Sequence, residues 1–332
     1  MRRGSLHGEI DLNAVTFLSP VTEEIKLVEE RMRAQADEHH PDLRAALEHL
    51  LAAGGKRVRP TLSLLVGNML GAPLEKLINL GAAVELLHTA TLVHDDLIDG
   101  SLLRRGTPTL NARWSPPATV LTGDFLFARA AKLAADTDHL PLMKLFSETL
   151  ATIVNGELTQ MFTSRGLINR DNYYKRIYAK TASLFEMTSR AAAMVSPAND
   201  DTIEAMRDFG YQIGMAFQIV DDILDFNGDQ NTVGKPLGSD LLNGLVTLPA
   251  IYFAEINPDD VDVVSLPNGG WTNNENMTRL VEKIRSSSCT KKAMVEAEQH
   301  VDRALAKLEA IEPCAERDAL ENLAKYIVDR KV

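Results

Sequence analysis

The sequence predicts an all-α protein, a helical bundle around two buried central helices. Apolar residues recur at the helical spacing i, i+3, i+4 along nearly the whole chain. Aromatic residues make up only 5% of the chain, while alanine and leucine dominate, which favours helices. We find no convincing stretch with the alternation of polar and apolar residues that a half-buried strand requires.

A single domain is expected. The chain has 332 residues, enough for two domains, but no low-complexity linker or sustained charge block divides it. We place the domain at residues 19–332. Residues 1–18 are expected to form an N-terminal extension that is loose or lies along the surface.

Capping and breaking residues set the expected helix ends. Pro20 lies near the first turn of the first helix, Asn199 and Asn273 precede later helices, and Gly71 is typical of a helix end. Segment 261–264 is rich in valine but lies between prolines and glycines, so we expect a loop. The expected helices cover 21–38, 41–53, 60–71, 74–99, 117–136, 139–164, 170–196, 200–227, 240–256, 275–287, 290–311 and 314–329.

Two of these helices are expected at the centre of the bundle. Helix 74–99 is about 26 residues or roughly 39 Å long, and it is apolar or small almost all round. Helix 200–227 is similar. Each of them ends in aspartates.

Identical Asp-Asp-x-x-Asp clusters close the two central helices. This spacing places carboxylates on neighbouring turns of one face, where like charges repel, and negative charge at a helix C-terminus is unfavourable. A lone cluster is equally consistent with a solvated helix end. Two copies favour metal binding, and oxygen ligands of this kind suit Mg²⁺ that bridges to phosphate. The clusters are Asp95, Asp96 and Asp99, and Asp221, Asp222 and Asp225.

Two basic stretches are candidates for binding phosphate. Residues 54–60, GGKRVRP, precede a helix but lack the Walker A pattern, because residue 50 is Leu and residue 57 is Arg. A glycine-rich turn with Lys and Arg is still a good anion cradle, although a basic surface turn is the alternative. Arg104 and Arg105 closely follow the first aspartate cluster, which weakens a plain surface interpretation.

Other polar residues are less specific signals. His88 is either a satisfied core histidine or a phosphate contact. With Glu85 it forms a Glu-x-x-His pair of the kind found in di-iron bundles, but helix 290–311 lacks a second such pair. The remaining weak signals are Lys180, Thr181, Gln218 and Lys235.

Composition argues against several classes of protein. The net charge of −11 disfavours a general nucleic-acid-binding surface. Cys289 and Cys314 make no disulfide framework and fit a reducing, cytoplasmic compartment. No apolar run reaches about 18 residues without a charge, so we expect no stable membrane insertion. The N-terminus lacks the apolar core of a secretory signal, and the early acidic residues disfavour a transit peptide.

The chain contains no plausible Ser/His/Asp, Cys/His or zinc-spaced cysteine constellation. Two aspartate clusters, two basic clusters and an apolar interior instead describe the metal-assisted departure of a diphosphate. Departure creates a carbocation in a dry cavity, where the protein positions the reactants and stabilises the leaving group.

These motifs resemble the trans-isoprenyl diphosphate synthases, the polyprenyl synthetase family, and among them the long-chain octaprenyl- and solanesyl-type enzymes. They cover most of residues 54–250 in the family's order. The matching stretches are GGKRVRP (54–60), ELLHTATLVHDDLID (85–99), LLRRGTPT (102–109), GDFLFARA (123–130), GEL-Q (156–160), AKTASLFE (179–186), FQIVDDILDF (217–226) and GKPLGSDL (234–241).

The resemblance implies an orthogonal helical bundle, the isoprenoid synthase fold, with a deep central cavity. It implies Mg²⁺-dependent head-to-tail (1'-4) condensation of isopentenyl diphosphate with allylic diphosphates to an all-trans polyprenyl diphosphate. The steps are ionisation, condensation and loss of a proton, with the released diphosphate as base. Three Mg²⁺ ions per active site are implied, with Mn²⁺ as a substitute, in a homodimer.

The resemblance also assigns roles to residues. The first aspartate cluster binds the Mg²⁺ that holds the allylic diphosphate, and the second supplies the opposite metal. Arg104 contacts the allylic diphosphate. The other residues that the resemblance assigns to the allylic substrate are Lys180, Thr181, Gln218 and Lys235. Lys180 and Gln218 are also counted as catalytic, together with the aspartates. The residues assigned to isopentenyl diphosphate are Lys56, Arg59, His88 and Arg105. The family often has Lys after Gly244, but this chain has Leu245, which receives no role.

Product length depends on the helix along which the allylic tail grows. Ala90 and Thr91 lie just before the first aspartate cluster. In the family a bulky aromatic residue here blocks the tail, whereas Ala90 leaves the channel open, and Leu87 one turn further down does not seal it. We therefore expect a long-chain product. A floor from another helix, such as Phe125 or Phe162, would instead give geranylgeranyl or farnesyl diphosphate.

Two other functions stay open. A class I terpene cyclase shares the aspartate chemistry but does not need the paired basic sites for a second diphosphate. A non-catalytic regulatory subunit of a heteromeric prenyl synthase typically loses an aspartate cluster. Both clusters are intact here, but Leu245, which stands where the family often has Lys, keeps this alternative open. Mg²⁺-dependent activity of the isolated chain discriminates between an enzyme and such a subunit.

Overall fold

The computed structural model of the protein describes residues 16–37, 39–104, 106–162, 165–227 and 236–330. These residues are mostly helical, so the predicted all-α class is confirmed. The described strands, β1 (Leu103–Arg104) and β2 (Thr107–Pro108), form one short antiparallel hairpin in which Leu103 pairs with Pro108.

Most of the expected helices are present, some of them divided by turns. The α-helices of the described residues are α1 (Thr22–Arg33), α2 (Pro41–Ala52), α3 (Val58–Met69), α4 (Leu74–Ile98), α5 (Pro116–Ala135), α6 (Leu140–Phe162), α7 (Arg170–Ile177), α8 (Ser183–Met194), α9 (Asp200–Asn227), α10 (Ser239–Leu242), α11 (Leu248–Ile256), α12 (Val261–Ser265), α13 (Asn274–Arg285), α14 (Cys289–Leu308) and α15 (Ala315–Asp329). A π-helical turn, Tyr178–Ala182, joins α7 to α8.

Residues 261–264 are helical, where the sequence predicted a loop. The side chain of Asp260 accepts a hydrogen bond from the Asp262 N–H at 2.9 Å and so caps the start of α12. Val263 and Leu266 are buried and hold the short helix against the core. A cap and two buried side chains are therefore sufficient here despite the flanking breakers.

Helix α4 is the central helix of the bundle. Its apolar side chains from Leu77 to Ala90 are buried, and α3, α5 and α8 pack around it. The helix is long and apolar enough to cross a membrane, but 78% of its most apolar window is buried by other parts of the protein. It is therefore the core helix that its all-round apolar pattern predicts.

Helix α9 is the second central helix, and it packs against α8 and α14. A Cβ atom at Gly214 would lie 2.5 Å from the Cα of Ala182, which belongs to the π turn. This distance is shorter than any van der Waals contact between carbons, so only glycine allows the approach. The contact holds the π turn directly against α9.

The N-terminal boundary differs from the expected one. Phe17 and Leu18, assigned to the surface extension, are buried. The ring centre of Phe17 lies 5.1 Å from that of Tyr326 in α15. These side chains cover the C-terminal helix, so the extension ends before residue 17, and residues 1–15 lie outside the described ranges.

Candidate active site

One cavity of about 1170 Å³ lies where α4 and α9 end. Asp99 from the first aspartate cluster and Asp222 from the second both line it. Lys180 and Gln218 line it as well, and α6 and α7 contribute further residues to the walls. The structure therefore brings the two clusters to one space, although they are far apart in the chain.

Asp96 of the first cluster is bonded to Arg104. The Arg104 Nε lies 3.0 Å from both carboxylate oxygens, and its Nη2 lies 2.8 Å from Oδ1. Asp96 is only 7% exposed, so its carboxylate is largely removed from water, whereas the Arg104 side chain remains 39% exposed. It ties β1 to the end of α4. Arg104, which the resemblance assigns to the allylic diphosphate, is thus engaged by a carboxylate in this structure.

Asp95 is a largely buried carboxylate with charges of both signs around it. The Lys180 Nζ lies 4.0 Å from the Asp95 Oδ2 and 3.0 Å from the Glu157 Oε1, so two carboxylates share one ammonium. Burial, followed by the charges of Glu157 and Asp99, raises the pKa of Asp95 to about 6 despite Lys180. A further cation at this point would relieve the repulsion.

Asp222 belongs to a buried hydrogen-bond network. The Tyr173 hydroxyl donates to Oδ2 at 2.8 Å, and the Gln218 Nε2 donates to Oδ1 at 2.9 Å. The Thr181 hydroxyl donates to the Gln218 Oε1 at 2.6 Å, which orients the amide. Burial raises the pKa of Asp222 to about 8, and the nearby Asp240 adds to this effect.

The π turn places two consecutive residues against the two clusters. Lys180 lies near Asp95, and Thr181 reaches Asp222 through Gln218. Consecutive residues of a regular helix point about 100° apart, and a π turn changes this angle locally. Such turns are frequent at functional sites.

The other two aspartates of the second cluster also have protein partners. Asp225 Oδ1 accepts hydrogen bonds from the Ser239 N–H at 3.1 Å and the Ser239 hydroxyl at 2.7 Å, at the start of α10. Asp221 Oδ1 lies 2.7 Å from Nη2 of Arg330, whose guanidinium lies 4.0 Å from the Phe217 ring centre. Burial raises the pKa of Asp221 although Arg330 opposes the shift.

Lys56 and Arg59 lie on the Asp221 side of the site. The charge of each lowers the pKa of that carboxyl, against the larger effect of burial. The Lys56 Nζ lies 5.1 Å from the Tyr326 ring centre, and the Arg59 guanidinium lies 4.6 Å from that of Phe185. Aromatic faces therefore support both cations.

Arg57, the remaining cation of the stretch 54–60, has a structural role. It adopts a left-handed backbone conformation with φ of 46°. Its Nε donates to Glu29 at 2.8 Å and its Nη1 donates to Glu85 at 3.0 Å. Glu85 is therefore an ion-pair partner of Arg57 that supports the fold. His88, one turn later, is half-buried.

The structure adds residues that sequence reasoning missed. Glu157 lies in the GEL-Q stretch, which was a signal, but it received no role. Tyr173 and Arg330 carry no local motif, since their aspartate partners lie 49 and 109 positions away in the chain. Two predicted substrate contacts, Arg105 and Lys235, lie outside the described residues.

The residues expected to control product length differ in exposure. Ala90 and Leu87 are fully buried, whereas Thr91 is partly exposed. Phe162 is 85% exposed at the end of α6, so it does not form the floor of a cavity within this chain. Phe125 is half-buried and packs edge-on against His39 at 5.0 Å.

The donors at the cavity suit a hard cation. Among the described residues no three His, Cys, Asp or Glu side chains converge closely enough to hold a metal, and Arg104, Arg330 and Ser239 bind Asp96, Asp221 and Asp225. Asp99 and Asp222 nevertheless line one cavity, and the Asp95 carboxylate lies 4.0 Å from Lys180, which lines the same cavity. Carboxylate oxygens are ligands that Mg²⁺ prefers.

Comparisons with known proteins agree with this geometry. The family model for polyprenyl synthetase matches residues 40–284. The all-trans-nonaprenyl-diphosphate synthase (geranyl-diphosphate specific) of Rhodobacter capsulatus is 37% identical over 320 residues, which cover 95% of this chain and 97% of that protein. Heptaprenyl diphosphate synthase component 2 of Geobacillus stearothermophilus is 36% identical over 317 residues, which cover 95% and 97%.

A solved structure extends the similarity to three dimensions. The polyprenyl synthase of Caulobacter crescentus, crystallised with calcium and isoprenyl diphosphate, matches with a TM-score of 0.88. Its sequence is 32% identical, and the match covers 100% of both chains. The similarity therefore includes the C-terminal helices, where the sequence motifs were weakest.

Replacing Asp95 by Asn is expected to stabilise the protein at pH 8 in the absence of metal. A raised pKa means that ionisation of Asp95 destabilises the folded state, and the loss grows as pH rises from about 4 to about 6. The gain is on the order of 2 kcal/mol at pH 8 and smaller at pH 5. Denaturant unfolding at both pH values measures it.

The exposed Asp302→Asn variant in α14 is the matched control, and it should show no such pH-dependent gain. Equal stability of the Asp95→Asn variant and the unmodified protein at pH 8 would contradict the inference that burial of the charged Asp95 carboxylate destabilises the fold.

Proposed function

The chain belongs to the polyprenyl synthetase family, and we propose that it synthesises a long-chain all-trans polyprenyl diphosphate. The reaction is the condensation of isopentenyl diphosphate with an allylic diphosphate, catalysed by a prenyltransferase with the isoprenoid synthase fold. The observation that carries the proposal is the meeting of both aspartate clusters at one cavity that contains Lys180. Residues 19–332, together with the buried Phe17 and Leu18, are assigned to one catalytic domain.

We assign Mg²⁺ binding to the two aspartate clusters, with Mn²⁺ as a substitute and three ions per site. Bound metal supplies the positive charge that holds the diphosphate as it departs. Burial and like charges keep the pKa of Asp95 and Asp222 high, so both carboxylates gain from a nearby cation. The aspartates in this assignment are Asp95, Asp96, Asp99, Asp221, Asp222 and Asp225.

The chain's own residues bind and orient the allylic diphosphate. Lys180 is placed to contact the phosphate beside Asp95, and Arg104 exchanges Asp96 for the substrate. Thr181 and Gln218 keep the Asp222 carboxylate aimed at the site through their hydrogen bonds. Lys235 is assigned to the same substrate from the resemblance alone.

A second group of cations binds isopentenyl diphosphate. Lys56 and Arg59 lie near Asp221 and are supported by aromatic rings; His88 is half-buried in α4, and Arg105 joins them from the resemblance. When the allylic C–O bond breaks, the carbocation is attacked by the double bond of isopentenyl diphosphate. The released diphosphate then takes a proton, and the apolar interior protects the cation from water.

The product is assigned to the long-chain class. Small Ala90 and Thr91 stand where an aromatic residue would stop the tail, and Leu87 lies one turn below. The relatives in Rhodobacter capsulatus and Geobacillus stearothermophilus are named for nonaprenyl and heptaprenyl products. Since Phe162 is exposed, it supplies no floor within this chain.

We assign a cytoplasmic homodimer that pairs through α5 and α6. Both helices expose large apolar side chains, and Val154 and Leu158 follow one another at i and i+4 on α6. Such a stripe is expected to be covered by a partner. A heteromer is the alternative, because one relative is named as a component. The free cysteines Cys289 and Cys314 fit a reducing compartment.

Product analysis tests the function directly. Purified protein with Mg²⁺, isopentenyl diphosphate and an allylic primer should yield a ladder of all-trans products that ends well beyond twenty carbons. The dephosphorylated alcohols are sized after separate reactions with dimethylallyl, geranyl, farnesyl and geranylgeranyl diphosphate. A stop at geranylgeraniol would keep the reaction but refute the long-chain assignment. No product from any primer would favour the regulatory subunit.

The Ala90→Phe variant should give shorter products than the unmodified enzyme. An aromatic ring at this position is expected to block the growing tail below the first aspartate cluster. The measurement is the size distribution of the alcohols, compared with that of Ala82→Phe, an equally buried position about two turns earlier on α4 that points roughly 80° away from Ala90. An unchanged distribution for Ala90→Phe would place the floor elsewhere.

Charged residues on α6 should separate the dimer. The double variant Val154→Glu and Leu158→Glu is expected to sediment as a monomer, because two charges would be buried in an apolar interface. The matched control is Val264→Glu, an exposed valine on α12. A monomeric unmodified protein, or a double variant that remains dimeric, would contradict this interface.

A further inference from the structure

The wall of the cavity contains a cation without an assigned role, Arg176. It precedes Lys180 by four residues on α7, and both side chains line the cavity of about 1170 Å³ together with Gln218 and Asp222. Its side chain is half-buried. The basic residue therefore lies within the space assigned to the allylic substrate.

Two contacts hold the Arg176 guanidinium in place. Its Nη2 donates to the carbonyl oxygen of Val246 at 2.8 Å. Its central carbon lies 5.5 Å from the ring centre of Tyr173, whose hydroxyl donates to Asp222. A guanidinium fixed in this way loses little side-chain freedom on binding a ligand, which favours affinity.

The charge of Arg176 has no carboxylate partner within ion-pair distance among the described residues. Four of the five guanidinium N–H donors have no hydrogen bond to the described part of the chain. Arg176 nevertheless acts electrostatically on Asp222, whose pKa it lowers against the larger effect of burial. A half-buried cation with unused donors, facing a cavity, is suited to an anion.

Neighbouring residues do not offer the same arrangement. Leu245 lines the cavity beside Val246 but carries no charge. The Arg165 guanidinium lies 5.4 Å from the Trp271 ring centre, and the Lys175 side chain is exposed. Among these, Arg176 alone combines a fixed position with an effect on the second aspartate cluster.

We propose that Arg176 binds the diphosphate of the allylic substrate as a further substrate-binding residue. The inference deepens the proposed function and rests on it. Bidentate donation from a guanidinium to phosphate oxygens holds the leaving group from the α7 side of the cavity. Arg176 also places positive charge on the wall where Leu245 supplies none.

The test compares Arg176→Met with Arg176→Lys and with the surface control Arg285→Met on α13, whose partner is Glu282 at 3.0 Å. Arg176→Met is expected to raise the KM for the allylic diphosphate by roughly 10- to 100-fold, the range for a lost hydrogen bond to a charged group. The KM for isopentenyl diphosphate should change little. Arg176→Lys should recover part of the loss, and Arg285→Met should lose nothing.

A second-site variant separates substrate binding from a structural role. Adding Leu245→Lys to Arg176→Met supplies a cation from the same wall and should restore part of the allylic affinity, which it would not do if Arg176 only supported the loop. Thermal unfolding of each variant checks the fold. Unchanged KM values in Arg176→Met, or equal increases for both substrates, would overturn the proposal.

Direct binding keeps this test independent of turnover. Titration with inorganic diphosphate and Mg²⁺ by calorimetry should give weaker binding to Arg176→Met than to the unmodified protein and to Arg285→Met. If the unmodified protein makes no product yet shows this difference, the proposed function fails and the anion site stands. Equal diphosphate affinity in all three proteins, with active enzyme, would refute the role of Arg176 alone.

Discussion

Everything at this site depends on placing carboxylates at the buried ends of two apolar helices. A carboxylate loses its hydration when it is buried, and a helix C-terminus offers it no favourable dipole. Asp95 and Asp222 consequently have raised pKa values of about 6 and about 8. The helices themselves pay no such cost, since their apolar sides fill the core. The unfavourable electrostatic free energy is therefore confined to the ends of the two helices, and the rest of each helix is stabilised by apolar packing.

Contacts within the protein compensate only part of the free-energy cost of burying these carboxylates. Arg104 neutralises Asp96, Arg330 pairs with Asp221, and hydrogen bonds from Tyr173 and Gln218 support Asp222. These contacts hold the carboxylates at defined positions, although burial still disfavours the charged forms of Asp95 and Asp222. A site of this kind favours metal ions and binds a diphosphate through them, because both charges are then matched without a large rearrangement.

Long-range contacts explain what could and could not be predicted. The apolar periodicity of α4 and α9 identified the central helices, and the repeated aspartate spacing predicted a metal site at their ends, since both patterns are local. Arg330 could not be assigned, because its partner Asp221 lies 109 positions away and no local motif marks it. Phe162 was considered as a cavity floor from its chemistry, yet it is exposed, because helical phase alone does not say which face a neighbour covers.

Other differences have the same cause. Val261–Ser265 is a helix because Asp260 caps it and the core accepts Val263, while proline and glycine propensities pointed to a loop. The π turn at Tyr178–Ala182 could not be read from propensity, since the pattern of apolar residues continues through it. It depends on close packing against Gly214 of α9.

The sequence by itself determined the helical class, the two central helices, the aspartate clusters and the family, because these follow from periodicity and spacing within short stretches. Only the tertiary structure decided which side chains meet. In the folded protein Tyr173 and Gln218 donate hydrogen bonds to Asp222, and Arg57 donates hydrogen bonds to Glu29 and Glu85. Arg176 lines the cavity. Partner choice depends on distances between segments remote in the chain, and those distances exist only once the core has packed.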